Sequence, residues 1–251
     1  MTAPLYLRDV PLDGVQAGAL LVLDGDEGRH AATVRRTRPG ERVDLADGSG
    51  RVARCDVVAV AAGRLELRVL DLDVVPDRPP RLILVQALAK GGRDELAVQT
   101  ATELGVDAVV PWQAARSVVV WTGERGERSR DRWQAVARAA AKQSRRPTVP
   151  PVGEAVTGRA LAAMVTGTVA AGGVALVLHE DAGPGLAQVA LPAGAEVLVV
   201  VGPEGGITEQ ESAAFRAAGA AACRLGPTVL RTSTAGTVAV AILLSRSGRW
   251  S

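Results

Sequence analysis

The chain has 251 residues and is therefore long enough to bury a sizeable core. Its 29 lysines and arginines nearly balance its 27 aspartates and glutamates, so the net charge alone identifies no partner. No apolar run reaches the length of a membrane span, and the first twenty residues lack the apolar stretch of a secretory signal, so the sequence predicts a cytoplasmic protein with no membrane partner. Cys55 and Cys223 are distant in sequence and follow no metal-binding or redox spacing, which indicates free thiols and no bound metal.

Residues 1–75 are predicted to form a small β-rich domain. Short apolar runs between turn residues predict strands over residues 20–23, 43–45, 52–60 and 65–69. A short helix is expected over residues 30–38, because a Pro-Gly pair follows it. Strands of this number can form a small closed or nearly closed barrel. Residues 76–80, with the sequence PDRPP, predict a stiff linker after this domain.

Residues 81–251 alternate between strand and helix patterns. Strands are expected over residues 82–88, 108–112, 174–178 and 197–201, with one more possible strand over residues 117–121. Helices are expected over residues 94–104, over residues 129–143 with Ser129 as N-cap, and over residues 235–244. Such alternation predicts an α/β domain in which helices cover both faces of a parallel sheet.

A glycine-rich loop follows the strand predicted over residues 197–201. The loop reads GPEGG, and Thr208 and Glu211 after it have the spacing of a capping box, which predicts the start of a helix. Ligands of open α/β sheets bind at the carboxyl ends of strands, and Gly205 and Gly206 would let a ligand approach the backbone closely. A glycine-rich turn without a ligand is the competing interpretation.

A second glycine-bearing loop follows a short apolar stretch over residues 221–225 and precedes the last helix. The two segments, GPEGGITEQE and LGPTVLRTSTA, closely resemble signature segments of the RsmE-type 16S ribosomal RNA methyltransferases. The stretches KG at residue 90, ATELGV at 101, RS at 116 and QSRR at 143 resemble further elements of that family. The resemblance covers nearly the whole chain.

The resemblance implies an amino-terminal PUA-like β-barrel that binds RNA and a SPOUT-type parallel sheet whose carboxyl-terminal part forms a trefoil knot. It implies S-adenosyl-L-methionine as cofactor, methylation of N3 of a uridine, and 16S ribosomal RNA or the small ribosomal subunit as partner. It also implies a homodimer, because the site of this class lies at the subunit interface.

Three predicted strand ends supply the residues that the resemblance assigns to the cofactor. Residues 178–180 end one strand, and the two glycine-bearing loops follow two others, so all three should meet at one edge of the sheet. The predicted cofactor-binding residues are Leu178, His179, Glu180, Gly202, Pro203, Gly205, Gly206, Ile207, Leu225, Gly226, Leu230, Thr232, Thr234 and Ala235. We expect Thr232 or Thr234 to act also as the N-cap of the last helix.

Two candidates carry the chemistry. Arg231, just before the last helix, could stabilise the negative charge that develops when a uracil ring loses its N3 proton. Its alternative role is an ion pair with Glu204 or Glu211. Glu204 could accept the proton, or it could shape the loop through hydrogen bonds to backbone amides. The family commonly has Glu where this chain has Ser233, so a carboxylate at that position is not available here.

Two groups of basic residues predict an RNA-binding surface: Arg29, His30, Arg35, Arg36 and Arg38 in the first domain, and Arg138, Lys142, Arg145 and Arg146 near the end of the helix predicted over residues 129–143. Each group alone is equally typical of a solvated basic face. Because aromatic residues are scarce, we expect phosphate and shape contacts to dominate.

Two other functions fit parts of the pattern. A nucleotide-cofactor oxidoreductase could use the same crevice, but no GxGxxG turn follows the first strand of the α/β domain. A non-catalytic RNA-binding or ribosome-assembly protein could keep the fold without methyl transfer, although two intact loops argue against lost activity.

Overall fold

The computed structural model describes residues 3–192 and 194–250, and the chain divides into two compact units. The first unit comprises Met1–Asp77 and Ala141–Val149, and the second comprises Arg78–Ala140 and Pro150–Ser251. The division falls within the predicted linker. That residues 141–149 belong with the first unit was not expected from the sequence.

A five-stranded sheet forms the first unit. Its strands are β1 (Leu5–Leu7), β2 (Leu20–Leu23), β3 (Arg42–Ala46), β4 (Arg51–Ala61) and β5 (Arg64–Val74), in the spatial order β1-β3-β4-β5-β2. Strands β1 and β3 are parallel, and the other neighbours are antiparallel. In β5 Leu65, Leu67 and Val69 are buried while the residues between them are exposed, as the alternating sequence predicts.

The helix of the first unit lies earlier than predicted. Helix α1 (Gly25–Arg29) continues into a π-helical turn, His30–Val34, so the expectation of a helix over residues 30–38 is wrong at both ends. Arg36 has a positive φ of 57°, a conformation that cannot continue a right-handed helix and therefore stops it before the Pro-Gly pair.

Residues 141–149 are an integral part of the first unit. Ala141 is buried in one cluster with Leu7 and Ala46, and Thr148 forms bridges with Gly48 and Ser49. Ala141 therefore packs on the strands of the amino-terminal sheet, and Thr148 pairs with the turn that follows β3.

Six parallel strands form the sheet of the second unit. They are β6 (Arg81–Ala87), β7 (Ala108–Gln113), β8 (Val156–Thr157), β9 (Val174–Leu178), β10 (Glu196–Val201) and β11 (Ala221–Cys223), in the spatial order β11-β9-β10-β6-β7-β8. The central strand β10 is buried throughout its apolar run, which matches the prediction of a parallel strand covered on both faces.

Among the described residues of this unit, the α-helices are α2 (Arg93–Leu104), α3 (Gly123–Gln143), α4 (Gly158–Ala170), α5 (Glu209–Ala217) and α6 (Thr232–Arg246), and Leu186–Gln188 form a short 3-10 helix. Helix α3 runs from the second unit into the first. Helix α6 lies close to the sheet, since a Cβ on Gly236 would be only 2.9 Å from Leu84 Cδ1. Within the described ranges, no helix is long and apolar enough to cross a bilayer.

Three predictions of local structure in this unit are wrong. Residues 117–121 form an irregular loop rather than a strand, and the valines at positions 118 and 120 are exposed. Helix α3 begins at Gly123, so Ser129 lies inside it, and its hydroxyl donates to Arg125 O (3.0 Å) instead of capping the helix. The first turns of α3 are polar and contain glycine, so no apolar periodicity marks them.

The third wrong prediction concerns helix α6. It begins at Thr232, three residues before the predicted start, and its N-cap is Arg231 in extended conformation. Neither Thr232 nor Thr234 is therefore the N-cap. The first three residues of the helix, TST, are polar, so the apolar pattern that marks the rest of the helix does not include them.

Candidate cofactor cleft and basic surface

The loops that follow β9, β10 and β11 meet at the carboxyl edge of the parallel sheet and surround one cleft of about 660 Å³. This volume suits a bound small molecule or cofactor. Both proposed catalytic residues, Arg231 and Glu204, line it. The predicted cofactor-binding residues that line it are Leu178, His179, Glu180, Gly202, Pro203, Gly205, Gly206, Ile207, Leu225, Gly226, Leu230, Thr232 and Ala235.

Thr234 is the exception among the predicted cofactor-binding residues. Its side chain is exposed in the first turn of α6, and it is not among the residues that line the cleft. Thr232 and Ala235, three residues apart and so on one face of the helix, both line the cleft, whereas Thr234 points in another direction.

The glycines of the loop after β10 serve the packing of the loop itself. Gly206 has a φ of +75°, and a Cβ on Gly205 would lie 3.1 Å from Arg116 Cβ and 3.2 Å from Arg116 O. A Cβ on Gly202 would lie 2.8 Å from Ile207 Cγ1. These contacts give the glycines a structural reason to be present, so their presence alone is not evidence of a ligand.

Gly226, in the loop after β11, differs from those glycines. It lines the cleft, its φ is not in the left-handed region, and a Cβ there would have no atom within 4 Å. A side chain at this position would therefore enter open space beside the cleft.

Helix α5 begins with the predicted capping box. Thr208 Oγ1 accepts from Glu211 N (3.2 Å), and Glu211 Oε2 accepts from Thr208 N (3.1 Å). Glu211 also reaches the loop after β7, because its Oε1 accepts from Ala115 N at 2.8 Å. In the same loop Arg116 Nη1 donates to Gly205 O (3.1 Å). The loop after β7 is thus hydrogen-bonded to the glycine loop through Arg116 and to the first turn of α5 through Ala115.

A buried polar chain joins the cleft to the sheet. Gln86, fully buried in β6, donates through Nε2 to Thr232 Oγ1 (2.9 Å), and Thr232 Oγ1 donates to Gly202 O (2.8 Å). The hydroxyl of Thr232 therefore connects α6 with the glycine loop. Ser233 beside it is also buried. No sequence pattern marked Gln86, because its side-chain partner Thr232 is 146 residues away.

The carboxylate of Glu204 forms an ion pair with Arg93, and both residues line the cleft. Its Oε1 accepts from Arg93 Nη1 at 2.8 Å. Partial burial acts to raise the pKa of the Glu204 carboxyl, but the backbone amides of Glu204 and Lys90 and the charge of Arg93 outweigh it and hold the pKa below its ordinary value. A carboxylate so stabilised is a weak proton acceptor, which favours the loop-shaping role.

Arg231 makes no ion pair and no side-chain hydrogen bond to any residue of the described ranges 3–192 and 194–250. Both carboxylates proposed as its structural partners have other partners: Glu204 binds Arg93, and Glu211 binds Thr208 and Ala115. The guanidinium of Arg231 is exposed at the wall of the cleft and is available to a ligand.

Sequence reasoning missed three arginines that line the cleft, namely Arg93, Arg116 and Arg224. Arg116 belongs to the RS segment that resembles the family, and that resemblance could have identified it. Arg93 and Arg224 lie in none of the segments that carry the resemblance. With Arg231 they give the cleft four cations, and Glu180, Asp181 and Glu204 also line it; of these carboxylates, Glu204 pairs with Arg93.

The residues predicted to bind RNA differ in whether their side chains already contact other residues of the protein. Three of them pair with carboxylates: Arg29 with Asp26, Arg35 with Glu41, and Lys142 with Glu27. The ring of His30 makes an edge contact with Tyr6, and Arg146 donates to Thr148 Oγ1 (3.0 Å). Arg36, Arg38 and Arg145 are exposed, whereas Arg138 belongs to the second unit.

The fold and the cleft define an α/β protein with a ligand-sized cleft at its strand ends, and two family models assign it to the RNA methyltransferases. A model described as "RNA methyltransferase domain" matches residues 76–244, and one described as "RNA methyltransferase PUA domain" matches residues 23–70. Of curated relatives, ribosomal RNA small subunit methyltransferase E of Mycobacterium bovis is 49% identical over 250 residues, 100% of this chain and 94% of its own. That of Bacillus subtilis is 29% identical, covering 92% of this chain and 91% of its own.

A solved structure is similar throughout. The ribosomal RNA small subunit methyltransferase E of Neisseria gonorrhoeae, crystallised bound to S-adenosyl methionine, superposes with a TM-score of 0.84 at 30% identity and covers 98% of each chain. The chain belongs to the ribosomal RNA small subunit methyltransferase E family. The fold expected from the sequence, a PUA-like domain followed by a parallel α/β methyltransferase domain, is confirmed.

Proposed function

We propose that this protein transfers a methyl group from S-adenosyl-L-methionine to N3 of a uridine in 16S ribosomal RNA. The observation that carries the proposal is the cleft at three strand ends, with the unpaired guanidinium of Arg231 in its wall. Membership of the family and the S-adenosyl methionine bound to the gonococcal relative support the choice of cofactor.

The residues of the cleft suit this cofactor. Leu178, Leu225 and Leu230 are half-buried and offer apolar walls to an adenine ring, while the loops between them offer backbone groups. The open space at Gly226 leaves room close to the backbone. When bound, S-adenosyl-L-methionine supplies an electrophilic methyl group on a sulfonium sulfur.

The chain must hold the uridine and favour loss of its N3 proton, because only the deprotonated nitrogen is a good nucleophile. Loss of that proton spreads negative charge onto the two carbonyl oxygens of the ring. A guanidinium facing those oxygens binds the charged ring better than the neutral one, so Arg231 lowers the free energy of the reacting state. Its planar, two-pronged donor geometry suits a carbonyl oxygen.

Glu204 is assigned to the loop rather than to the proton in this proposal. The pKa of its carboxyl is held low by backbone amides and Arg93, so it remains ionised and accepts protons poorly at neutral pH. The N3 proton then leaves to solvent, assisted by the charge of Arg231.

The proposal includes a homodimer that works in the cytoplasm, where ribosomes are assembled, and a trefoil knot in the second unit. Helix α6 leaves a stripe of Thr234, Val238, Ala241 and Ile242 incompletely buried, and Leu96 of α2 is exposed. A second copy of the chain could cover these side chains. Light scattering should give twice the chain mass for the wild type and the chain mass for Val238→Arg; a monomeric wild type would contradict the dimer.

The test is methyl transfer to 16S ribosomal RNA that lacks its natural modifications, using cofactor with an isotope-labelled methyl group. A methyl on N3 blocks the pairing edge of uracil, so reverse transcription should stop at one modified uridine. Binding of cofactor and RNA without transfer would favour the non-catalytic RNA-binding alternative. Binding of a nicotinamide cofactor in place of S-adenosyl-L-methionine would favour the oxidoreductase.

A further inference from the structure

Two arginines of the first unit have a backbone conformation that arginine rarely adopts. Among the described residues, the non-glycine residues with positive φ are Arg36, at 57°, and Arg145, at 56°. In this left-handed region the Cβ approaches the carbonyl oxygen, so glycine occupies it at lower free energy than any residue with a side chain.

Both arginines stand at the same kind of position, immediately after a helix end. Arg145 follows α3, and Arg146 N closes the helix end by donating to Ala141 O at 2.7 Å. Arg36 follows the π-helical turn, where Thr37 N donates to Ala31 O at 3.1 Å. Glycine is the common residue at such positions. The chain therefore uses arginine twice where glycine would fit the backbone better.

Neither side chain is used inside the protein. Within residues 3–192 and 194–250, Arg36 and Arg145 form no ion pair and no side-chain hydrogen bond, and both are exposed. Neighbouring cations are different: Arg35 pairs with Glu41, and Lys142 pairs with Glu27 at 2.6 Å. Carboxylates therefore neutralise Arg35 and Lys142, whereas the charges of Arg36 and Arg145 remain available to a ligand.

Several contacts join the two helical segments within the first unit. Lys142, three residues before Arg145, is bonded to Glu27 of α1, whose helix runs on into the turn that ends before Arg36. Strand β1 contacts both: Leu7 packs against Ala141, and Tyr6 contacts the ring of His30 with 6.5 Å between centroids. The two segments that end at Arg36 and Arg145 are thus linked by an ion pair and through the same strand.

We propose that Arg36 and Arg145 bind phosphates of the RNA substrate and that their strained backbone is retained for this purpose. The inference rests on the proposed function and sharpens it, because it selects two phosphate contacts from nine predicted RNA-binding residues. Guanidinium groups suit phosphate oxygens, which they can bind with two parallel hydrogen bonds. Backbone strain often marks a functional position rather than a structural one.

A structural role predicts the opposite effect on stability. A cation after the last turn of a helix interacts favourably with the helix dipole, so arginine could be present for that reason alone. In that case replacement by glycine lowers the melting temperature. If the arginines serve RNA, glycine relieves the backbone and the melting temperature stays the same or rises.

The experiment compares the double variant Arg36→Gly/Arg145→Gly with the control Arg42→Gln/Arg64→Gln. The control arginines are exposed in the same unit but pair with Asp56 and Glu66, and the two double variants lose the same charge. Affinity for unmodified 16S ribosomal RNA is measured by filter binding over a range of salt concentrations, so the result does not depend on turnover.

We expect the glycine variant to lose about tenfold in RNA affinity and its salt slope to fall by roughly 0.7–1 for each arginine, while the control changes by less than half as much. Arg36→Lys/Arg145→Lys should restore most of the slope. A slope equal to the control's would overturn the proposal, whatever the melting temperature. Methyl transfer by the wild type, measured in parallel, judges the proposed function separately.

Discussion

Backbone groups and tightly packed loops form the cleft of the second unit, whereas long charged side chains form the basic surface of the first. In the cleft, Gly202, Gly205 and Gly206 allow segments to approach to within van der Waals contact, and Glu211 and Thr232 join neighbouring loops. On the basic surface most side chains are exposed, and some of the cations form ion pairs with carboxylates. The first arrangement is largely fixed before a ligand arrives, and the second depends on which charges remain unpaired.

This difference determines what a substitution does in each region. A change in the cleft alters shape as well as chemistry, because loops share hydrogen bonds. A change on the basic surface removes charge with little effect on the fold, since exposed ion pairs contribute about 0–1 kcal/mol to stability. Arg231 combines the two cases: it lies in the cleft wall but has the freedom of a surface arginine.

The largest expected effect follows from that position. Arg231→Ala should reduce the single-turnover rate of methyl transfer by roughly 10²–10³-fold, the effect of losing one preorganised electrostatic donor, and Arg231→Lys should fall between. Affinity for S-adenosylhomocysteine and the melting temperature should change little, because the side chain supports no other residue in the described ranges. Loss of affinity and stability with an unchanged rate at saturating cofactor would show that Arg231 is structural.

A smaller effect should separate the glycines by their surroundings. Gly226→Val should weaken S-adenosylhomocysteine binding by about tenfold or more at an unchanged melting temperature, because Gly226 lines the cleft and the new side chain would enter open space beside it. Gly183→Val is the matched control, since it has equal room but lies outside the cleft.

Gly205→Val, by contrast, should lower both affinity and melting temperature, because its Cβ meets Arg116 at 3.1 Å and strain of this kind costs about 1–3 kcal/mol. Calorimetric titration and thermal unfolding of the three variants make the comparison. Equal affinities of Gly226→Val and Gly183→Val would exclude the cofactor from this side of the cleft.

The smallest effect concerns the ion pair at the cleft mouth. Arg93→Ala should raise the pKa of Glu204 toward its ordinary value, since the hydrogen bond and charge of Arg93 are lost while the burial that raises the pKa remains. A carboxyl whose folded pKa is depressed stabilises the fold above its unfolded pKa and loses that contribution as the pH falls through the folded pKa. The variant should therefore lose less than about 1 kcal/mol at neutral pH and show a weaker decline in acid.

Unfolding followed from neutral to acidic pH tests this, with Arg81→Ala as control because that arginine pairs with Glu196 in the same unit, outside the cleft lining. If the two variants lose stability with the same pH dependence, the pairing of Arg93 with Glu204 has no special electrostatic role.

Local patterns predicted the cleft's framework well. The capping box of Thr208 and Glu211 and the buried strand β10 depend on residues that are close in sequence, so their spacing carried the information. The start of α3, the start of α6 and the loop over residues 117–121 were missed. The first turns of the two helices are polar, so no apolar pattern marked them. The loop contains valines that suggested a strand, but they are exposed.

Contacts between distant residues could not be predicted from the sequence. The pairing of Arg93 with Glu204 and of Gln86 with Thr232 spans more than one hundred residues, and Ala141 joins the first unit through tertiary packing alone. The same limit applies to the basic residues. Sequence identified nine candidates together, but only three-dimensional proximity separates the arginines held by carboxylates from those left free.

The carboxylate of Glu211 has a consequence for motion. One oxygen holds the first turn of α5 and the other holds the amide of Ala115 in the loop after β7. Local opening of that helix end therefore releases the loop at the same moment, so the amide protons of Ala115 and Thr208 should exchange with solvent at linked rates. Because the neighbouring residues line the cleft, these two amides can serve as paired reporters of when its rim opens and closes.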